Sequence, residues 1–235
     1  MTLEERIAQV KENIARAARE AGRDPAEVTL VAATKVQSSD TIRQAIAGGI
    51  TVCGENRVQE MTAHLDDDAY AGAALHFIGH LQTNKVRQVV GRVDLIESVG
   101  SEHLLQAIEA QAAKLELVQD ILLEVNIGGE ASKSGVAPEE VYALAEQAMG
   151  CPHVRLRGLM AIPPIVEQPG GNRPFFAKMY QLYVDIRTKL DHNGTAITCL
   201  SMGMSGDYED AVREGATLVR VGTALFGPRP PMKTV

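Results

Sequence analysis

Apolar and polar positions along the chain follow two alternating periods. Residues 1–22, MTLEERIAQVKENIARAAREAG, set Leu3, Ile7, Val10, Ile14 and Ala17 at helical spacing behind early acids, which predicts an amphipathic N-terminal helix. From residue 28 onward, short β-branched runs take turns with helical patterns. VTLVAATK (28–35) precedes a helix over 39–47, and GITVCGEN (49–56) precedes one over 57–65. ALHFIGH (74–80) is followed by TNKVRQVV, DLIESV (94–99) by SEHLLQAIEAQAA, and DILLEVN (120–126), after a Gly-rich loop, by PEEVYALAEQAM. RLRGLMAI (155–162), a Pro- and Gly-containing loop and a helix over 174–190 form a sixth unit; TCLSMG (198–203) with SGDYEDAVREG forms a seventh, and TLVRVGTALFG supplies an eighth strand. Thr83 and Ser101 stand where an N-cap oxygen accepts early helix amides, and Pro138 suits a first helical turn.

Strands alternating with helices predict parallel βαβ units, and eight of them predict one α/β domain over residues 1–235: a single (β/α)8 TIM barrel with an additional N-terminal helix. A doubly wound open sheet is the competing architecture. The tail PRPPMKTV reads as frayed. Apolar residues make up 45% of the 235, in strand-sized runs far short of the roughly 20 a membrane span needs. No signal-peptide core opens the chain, so the expected location is cytoplasmic. A net charge of −7 argues against non-specific nucleic-acid binding. Cys53, Cys151 and Cys199 are widely spaced without a CxxC pair, and all three read as buried thiols. His76 and His80, about 13 Å apart along a strand, are too distant to share an ion, so no metal is expected.

In a parallel barrel the C-terminal strand ends meet at one mouth, which here collects Lys35, Asn56, His80, Ser98, Asn126, Met160, Ser201 and Arg220. Period-2 geometry points Lys35 inward with Val31 and Ala33, and Arg220 inward with Leu218. A lysine at an apolar strand end, near a second cation, favours its neutral amine and hence Schiff-base chemistry with an aldehyde. The plain alternative is a rim lysine whose ammonium reaches into water. Ser201, Gly203, Ser205 and Gly206 after the seventh strand, and Gly222 and Thr223 after the eighth, form loops of the kind that hold phosphate in such barrels, although either loop alone reads as a tight turn. An aldehyde-reactive lysine facing a phosphate cradle points to pyridoxal 5'-phosphate (PLP). Arg220 opposite the pyridine nitrogen would leave that nitrogen unprotonated and weaken the electron sink. A Schiff-base aldolase acting on sugar phosphates remains a competing reading.

VAATK ending at Lys35, GENRVQE (54–60), HFIGHLQTNK (76–85), LEVNIGGEASKSG (123–135), GLMAI (158–162), LSMGMSGDYEDA (200–211) and RVGTALFG (220–227) resemble the YggS/PROSC group of pyridoxal phosphate homeostasis proteins over nearly the full length. The resemblance implies a fold-type III barrel, similar to the N-terminal domain of alanine racemases, with Lys35 as the internal aldimine. It implies that Ser201 and the amides of Gly222 and Thr223 hold the phosphate, that Arg220 faces the pyridine nitrogen, and that Asn56 and Met160 line the ring. The implied role is cofactor buffering or delivery without catalysis, with PLP and PLP-dependent apoenzymes as partners. The racemases add a β domain whose Tyr is the second acid/base, and a chain of 235 residues has no room for one. His80 and Tyr208 are the candidates for a second group, and a single-domain amino-acid racemase is the second reading. Without that dimerising domain a monomer is expected. Lys85 and Lys133, in mouth-side loops, are candidates to relay the aldehyde.

Overall fold

A computed structural model describes residues 1–130, 133–164, 166, 168–191 and 196–228. Eight strands, β1 (Thr29–Ala33), β2 (Val52–Glu55), β3 (Ala74–Phe77), β4 (Leu95–Val99), β5 (Gln119–Val125), β6 (Val154–Ala161), β7 (Cys199–Ser201) and β8 (Leu218–Val221), close into a barrel in chain order. Every neighbouring pair is parallel, β8 pairing with β1. The helices are α1 (Leu3–Glu20), α2 (Ser39–Ala47), α3 (Val58–Asp66), α4 (Glu102–Lys114), α5 (Val141–Met149), α6 (Arg173–Leu190), α7 (Tyr208–Arg213) and α8 (Thr223–Phe226). The closed barrel with its N-terminal helix is the architecture the alternating pattern predicts. The expected frayed tail lies, beyond Pro228, outside the described residues.

Period-2 alternation sorts the apolar residues into two cores. Val31, Ala33, Val52, Leu95, Leu122, Met160 and Leu218 fill the barrel, while Ala32, Cys53, Phe77, Ile96, Ile121 and Val219 join the layer under the helices. The N-terminal helix has a defined task. At four residues, α8 is too short to cover the seam between β8 and β1, and α1 packs against both α7 and α8. Its buried Ile7, Val10 and Ile14 each contribute about 1.5–3 kcal/mol of apolar burial. A capping box between Thr2 and Glu5 fixes its start.

Local expectations failed in four places. TNKVRQVV forms a 3-10 turn, Thr83–Gln88, flanked by Gln82 and without a side-chain cap, so Thr83 is not an N-cap. The tighter winding of this short connection still turns Val86, Val89 and Val90 into the core. Pro138 lies in the turn before α5, whose first residue is Val141. Cys53 and Cys151 are buried, but Cys199 is only partly so, because it opens the three-residue β7 at the barrel's N-terminal end. Ser101, by contrast, caps α4 by accepting from the Leu104 amide at 3.2 Å. Among the described residues no helix is long and apolar enough to cross a membrane.

One irregularity sets which residues of β6 face inward. Ile121 pairs with Leu156 but Leu122 pairs with Gly158, so Arg157 is an extra residue in a bulge. The bulge resets the alternation and turns Met160 into the barrel. It requires glycine: Gly158 has φ +148°, and a Cβ there would stand 1.7 Å from the Cys199 carbonyl oxygen. Gly158→Ala is therefore expected to cost more than about 3 kcal/mol in urea unfolding. A loss below about 1 kcal/mol would show that the bulge relaxes without moving β7.

Candidate functional site

A cleft of about 210 Å³ opens where β1 and β8 end, and its wall includes Lys35, Ser205, Arg220, Gly222 and Thr223. It thus gathers four of the seven residues expected at the site: Lys35, Arg220, Gly222 and Thr223. Lys85 and Lys133 are not on this wall, and Lys133 lies 4.0 Å from Glu130.

Lys35 is half-buried in the turn after β1, and both of its neighbours are pinned. The Thr34 hydroxyl donates to Glu55 Oε1 at 2.5 Å, and the Val36 amide donates to Glu60 Oε2 at 3.0 Å. Val36 has φ +62°, a left-handed conformation that costs a β-branched residue about 1–3 kcal/mol and persists only when its surroundings enforce it. Glu55 also accepts from the Tyr70 hydroxyl at 2.9 Å, so one buried carboxyl ties the end of β1 to β2 and to the segment after α3. Burial pushes Glu55 upward, against the pull of the Thr34 and Tyr70 hydrogen bonds.

The amides of Gly222 and Ala224 converge on one oxygen, Ser205 Oγ, at 3.0 and 3.2 Å. Two backbone donors aimed at one acceptor form a ready anion cradle, and the Ser205 hydroxyl occupies the place of an anion oxygen. Ser201 faces elsewhere. It is fully buried, donates to Glu97 Oε2 at 2.6 Å and accepts from Arg220 Nη1 at 2.5 Å. Arg220 Nη2 donates to the Ala161 carbonyl at 3.0 Å, and Nη1 lies 3.8 Å from Glu97. His76 Nδ1 approaches Glu97 Oε1 at 2.7 Å and closes the network.

These contacts set the charge states. Burial pushes Glu97 upward, but the hydrogen bond and electrostatic pull of His76, the Arg220 guanidinium and the Ser201 hydroxyl outweigh it and hold Glu97 below the usual carboxylate range. Burial draws Arg220 down while Glu97, Glu124 and Asp207 oppose it; a guanidinium starts high enough to stay charged. Glu124 also points into the barrel, two residues beyond Leu122, and its Oε2 has no hydrogen-bond partner among the described residues. Burial raises its pKa, and Arg220 opposes the shift. Burial likewise pushes the Cys53 thiol up to about 12, which leaves it unreactive.

Asn56 follows β2 with its Oδ1 buried and, among the described residues, unpartnered, under the loop at Gly79, where a Cβ would meet the Asn56 carbonyl oxygen at 2.1 Å. Met160 is fully buried inside the barrel, in register with Ser201. The strand-end candidates Asn126 and His80, and Tyr208, a candidate second acid/base, do other work. Asn126 donates to the Glu130 carbonyl and shapes a loop, His80 bonds Ser134 at 3.2 Å, and the Tyr208 hydroxyl accepts from Asn13 of α1 at 2.9 Å, away from the cleft. The sequence reading missed Glu97 and Glu124; Ser205 it placed in the loop after the seventh strand, where the structure sets its hydroxyl under two amides. Counting by twos from Leu95 and Leu122 points to both glutamates, since a charged residue on an inward face needs a partner.

The family described as alanine racemase, N-terminal domain, matches residues 6–230. Pyridoxal phosphate homeostasis proteins of Aquifex aeolicus and Pseudomonas aeruginosa are 43% and 42% identical, over 96% and 97% of this chain and 97% and 96% of their own. PipY of Synechococcus elongatus, solved with PLP bound, is 32% identical over 96% of this chain and all of its own, with a TM-score of 0.82. An alanine racemase of Clostridium difficile shares the fold, at a TM-score of 0.73 and 15% identity over 99% of this chain and 58% of its own.

The shift at Glu124 has a sign that stability measurements detect. Its folded pKa lies above the unfolded value of 4.5, so its stabilisation is full below that value and is lost as pH rises through the folded pKa. Glu124→Gln keeps the neutral shape at every pH. Its stability relative to wild type is expected to climb as pH rises above the unfolded value in urea titrations, whereas a constant difference would place an ordinary carboxylate there.

Proposed function

The chain belongs to the pyridoxal phosphate homeostasis protein family, and on that premise we propose that it carries PLP in the cleft between β1 and β8, joined to Lys35. The observation that carries this reading is the meeting, in one cleft, of a lysine, the Gly222–Thr223 turn beside Ser205, and a buried guanidinium. When bound, the cofactor supplies an electrophilic aldehyde and an aromatic electron sink.

In this reading the amides of Gly222 and Thr223 hold the phosphate with Ser205, whose hydroxyl already sits in the cradle. Ser201 works at one remove, fixing Arg220. Of the five guanidinium donors, two are spent on Ser201 and Ala161, and those remaining serve the ring nitrogen. Asn56, with an unpartnered buried oxygen, and Met160, with apolar surface, line the ring.

The same geometry favours a carrier over an enzyme. Racemisation needs a second acid/base facing Lys35, and the Tyr208 hydroxyl is turned to Asn13 while His80 is held by Ser134. Arg220, a permanent cation, disfavours protonation of the ring nitrogen and so weakens carbanion chemistry. The protein is then a cytoplasmic monomer that buffers PLP and passes it to PLP-dependent apoenzymes.

Wild-type protein titrated with PLP is expected to gain a visible absorbance band distinct from the free cofactor, and borohydride to fix the added mass on the Lys35 peptide. Lys35→Ala abolishes both, and Ser205→Ala weakens binding about tenfold, the equivalent of one charge-assisted hydrogen bond. Absence of the band in saturated wild type, or reduction at another lysine, defeats the proposal. Deuterium entering amino acid Cα positions in heavy water, and lost in Lys35→Ala, would make the protein an enzyme.

A further inference from the structure

A second cleft, of about 430 Å³, opens at the ends of β4 and β5, across the barrel mouth from β1 and β8. It shares no lining residue with the cleft that holds Lys35. The His80–Ser134 hydrogen bond joins the loops after β3 and β5 at its rim.

Two groups lining it are unsatisfied. Among the described residues, Glu124 Oε2 and Ser98 Oγ are buried without hydrogen-bond partners, in residues only 6% and 2% exposed. A buried polar atom left unpaired costs about 1–3 kcal/mol, so two in one cleft call for a ligand that pairs them. The packing does not demand polar groups here, since Leu122 points into the same interior two residues earlier on β5.

Charge specifies the ligand. Glu97 and Glu124 face the barrel interior toward the mouth, and the guanidinium of Arg220 is committed to Glu97 through Ser201 and by direct approach at 3.8 Å. Among the described residues, no lysine or arginine lines the second cleft. Its unpartnered carboxyl oxygen and unpartnered hydroxyl oxygen offer acceptors to a group that only donates. An ammonium has three donors and no acceptor.

We propose that this cleft binds a small ligand through a primary ammonium group, which donates to Glu124 and Ser98 while the ligand's carbon body lies against Leu81 and Leu104. The site stands independently of the PLP reading, and it is tested in full-length Lys35→Ala protein without cofactor, where an amine has no aldehyde to attack.

Propylamine, 1-propanol and propionate share one carbon body with cationic, neutral and anionic heads. In saturation-transfer NMR titrations, propylamine is expected to bind at least about tenfold more tightly than either of the others. Glu124→Gln, nearly identical in shape, removes that preference, and Ser98→Ala weakens propylamine severalfold. A shift of the Gly135 amide on propylamine addition places binding in this cleft. Equal affinity for the three probes, or an unchanged preference in Glu124→Gln, overturns the proposal. Should Glu124→Gln not fold, Ser98→Ala with the three probes decides it alone.

Discussion

A positive charge enclosed within a barrel governs the site. Arg220 is 4% exposed, on a strand whose inward face otherwise carries Leu218. A guanidinium there is tolerable only with a counter-charge and filled donors, and removing one partner of such a pair typically costs about 3–5 kcal/mol. Glu97, Ser201 and the Ala161 carbonyl meet that demand from β4, β7 and β6, and His76 on β3 supports Glu97 in turn. The network spans the lumen, so the strands' relative positions are fixed by one set of contacts that also fixes where the guanidinium faces. The Gly158 bulge belongs to the same arrangement, because it decides which residues of β6 turn inward.

A second buried carboxyl holds the lysine's end of the cleft. Glu55 joins Thr34 and Tyr70, and Glu60 captures the amide of Val36 in its left-handed turn. The strain at Val36 is therefore maintained by contacts flanking Lys35 on both sides. Such pre-organisation suits a residue that must present its amine at a fixed place opposite the Gly222 and Ala224 amides. Lys35 is positioned by its neighbours in sequence, and Arg220 by partners from three other strands. The two halves of the cleft thus depend on separate networks.

The barrel was legible because each of its eight strands carries its own apolar run, and closure follows from their number and direction. That Lys35, Arg220, Gly222 and Thr223 share one cleft was legible for the same reason, since strand ends converge. What the sequence hid was orientation. Ser201 and Ser205 are the same residue type four apart, yet one lies on a strand pointing into the lumen and the other in the loop under two amides. Ser98, the last polar residue of β4, lines the second cleft, but a register shift between Ile96 and Val99 blurs that strand's end, and it is Glu97 that joins the Arg220 network. Asn126 does other work: it is one residue past β5, where its amide ties down a loop, while Glu124 faces the barrel.

Glu97 and Glu124 show how little residue type decides. Both are glutamates on adjacent strands of one lumen, and both are buried. Donors from His76 and Ser201, with Arg220 nearby, hold Glu97 charged, whereas Glu124 feels Arg220 only at a distance and is driven toward its neutral form. Enzymes often separate two carboxyls in this way to obtain an acid and a base. Here the charged member is locked in a structural network and has no proton to give. That leaves Glu124 as the group able to change state at the mouth, on the side away from Lys35, where it can answer an arriving cation without disturbing what holds Arg220.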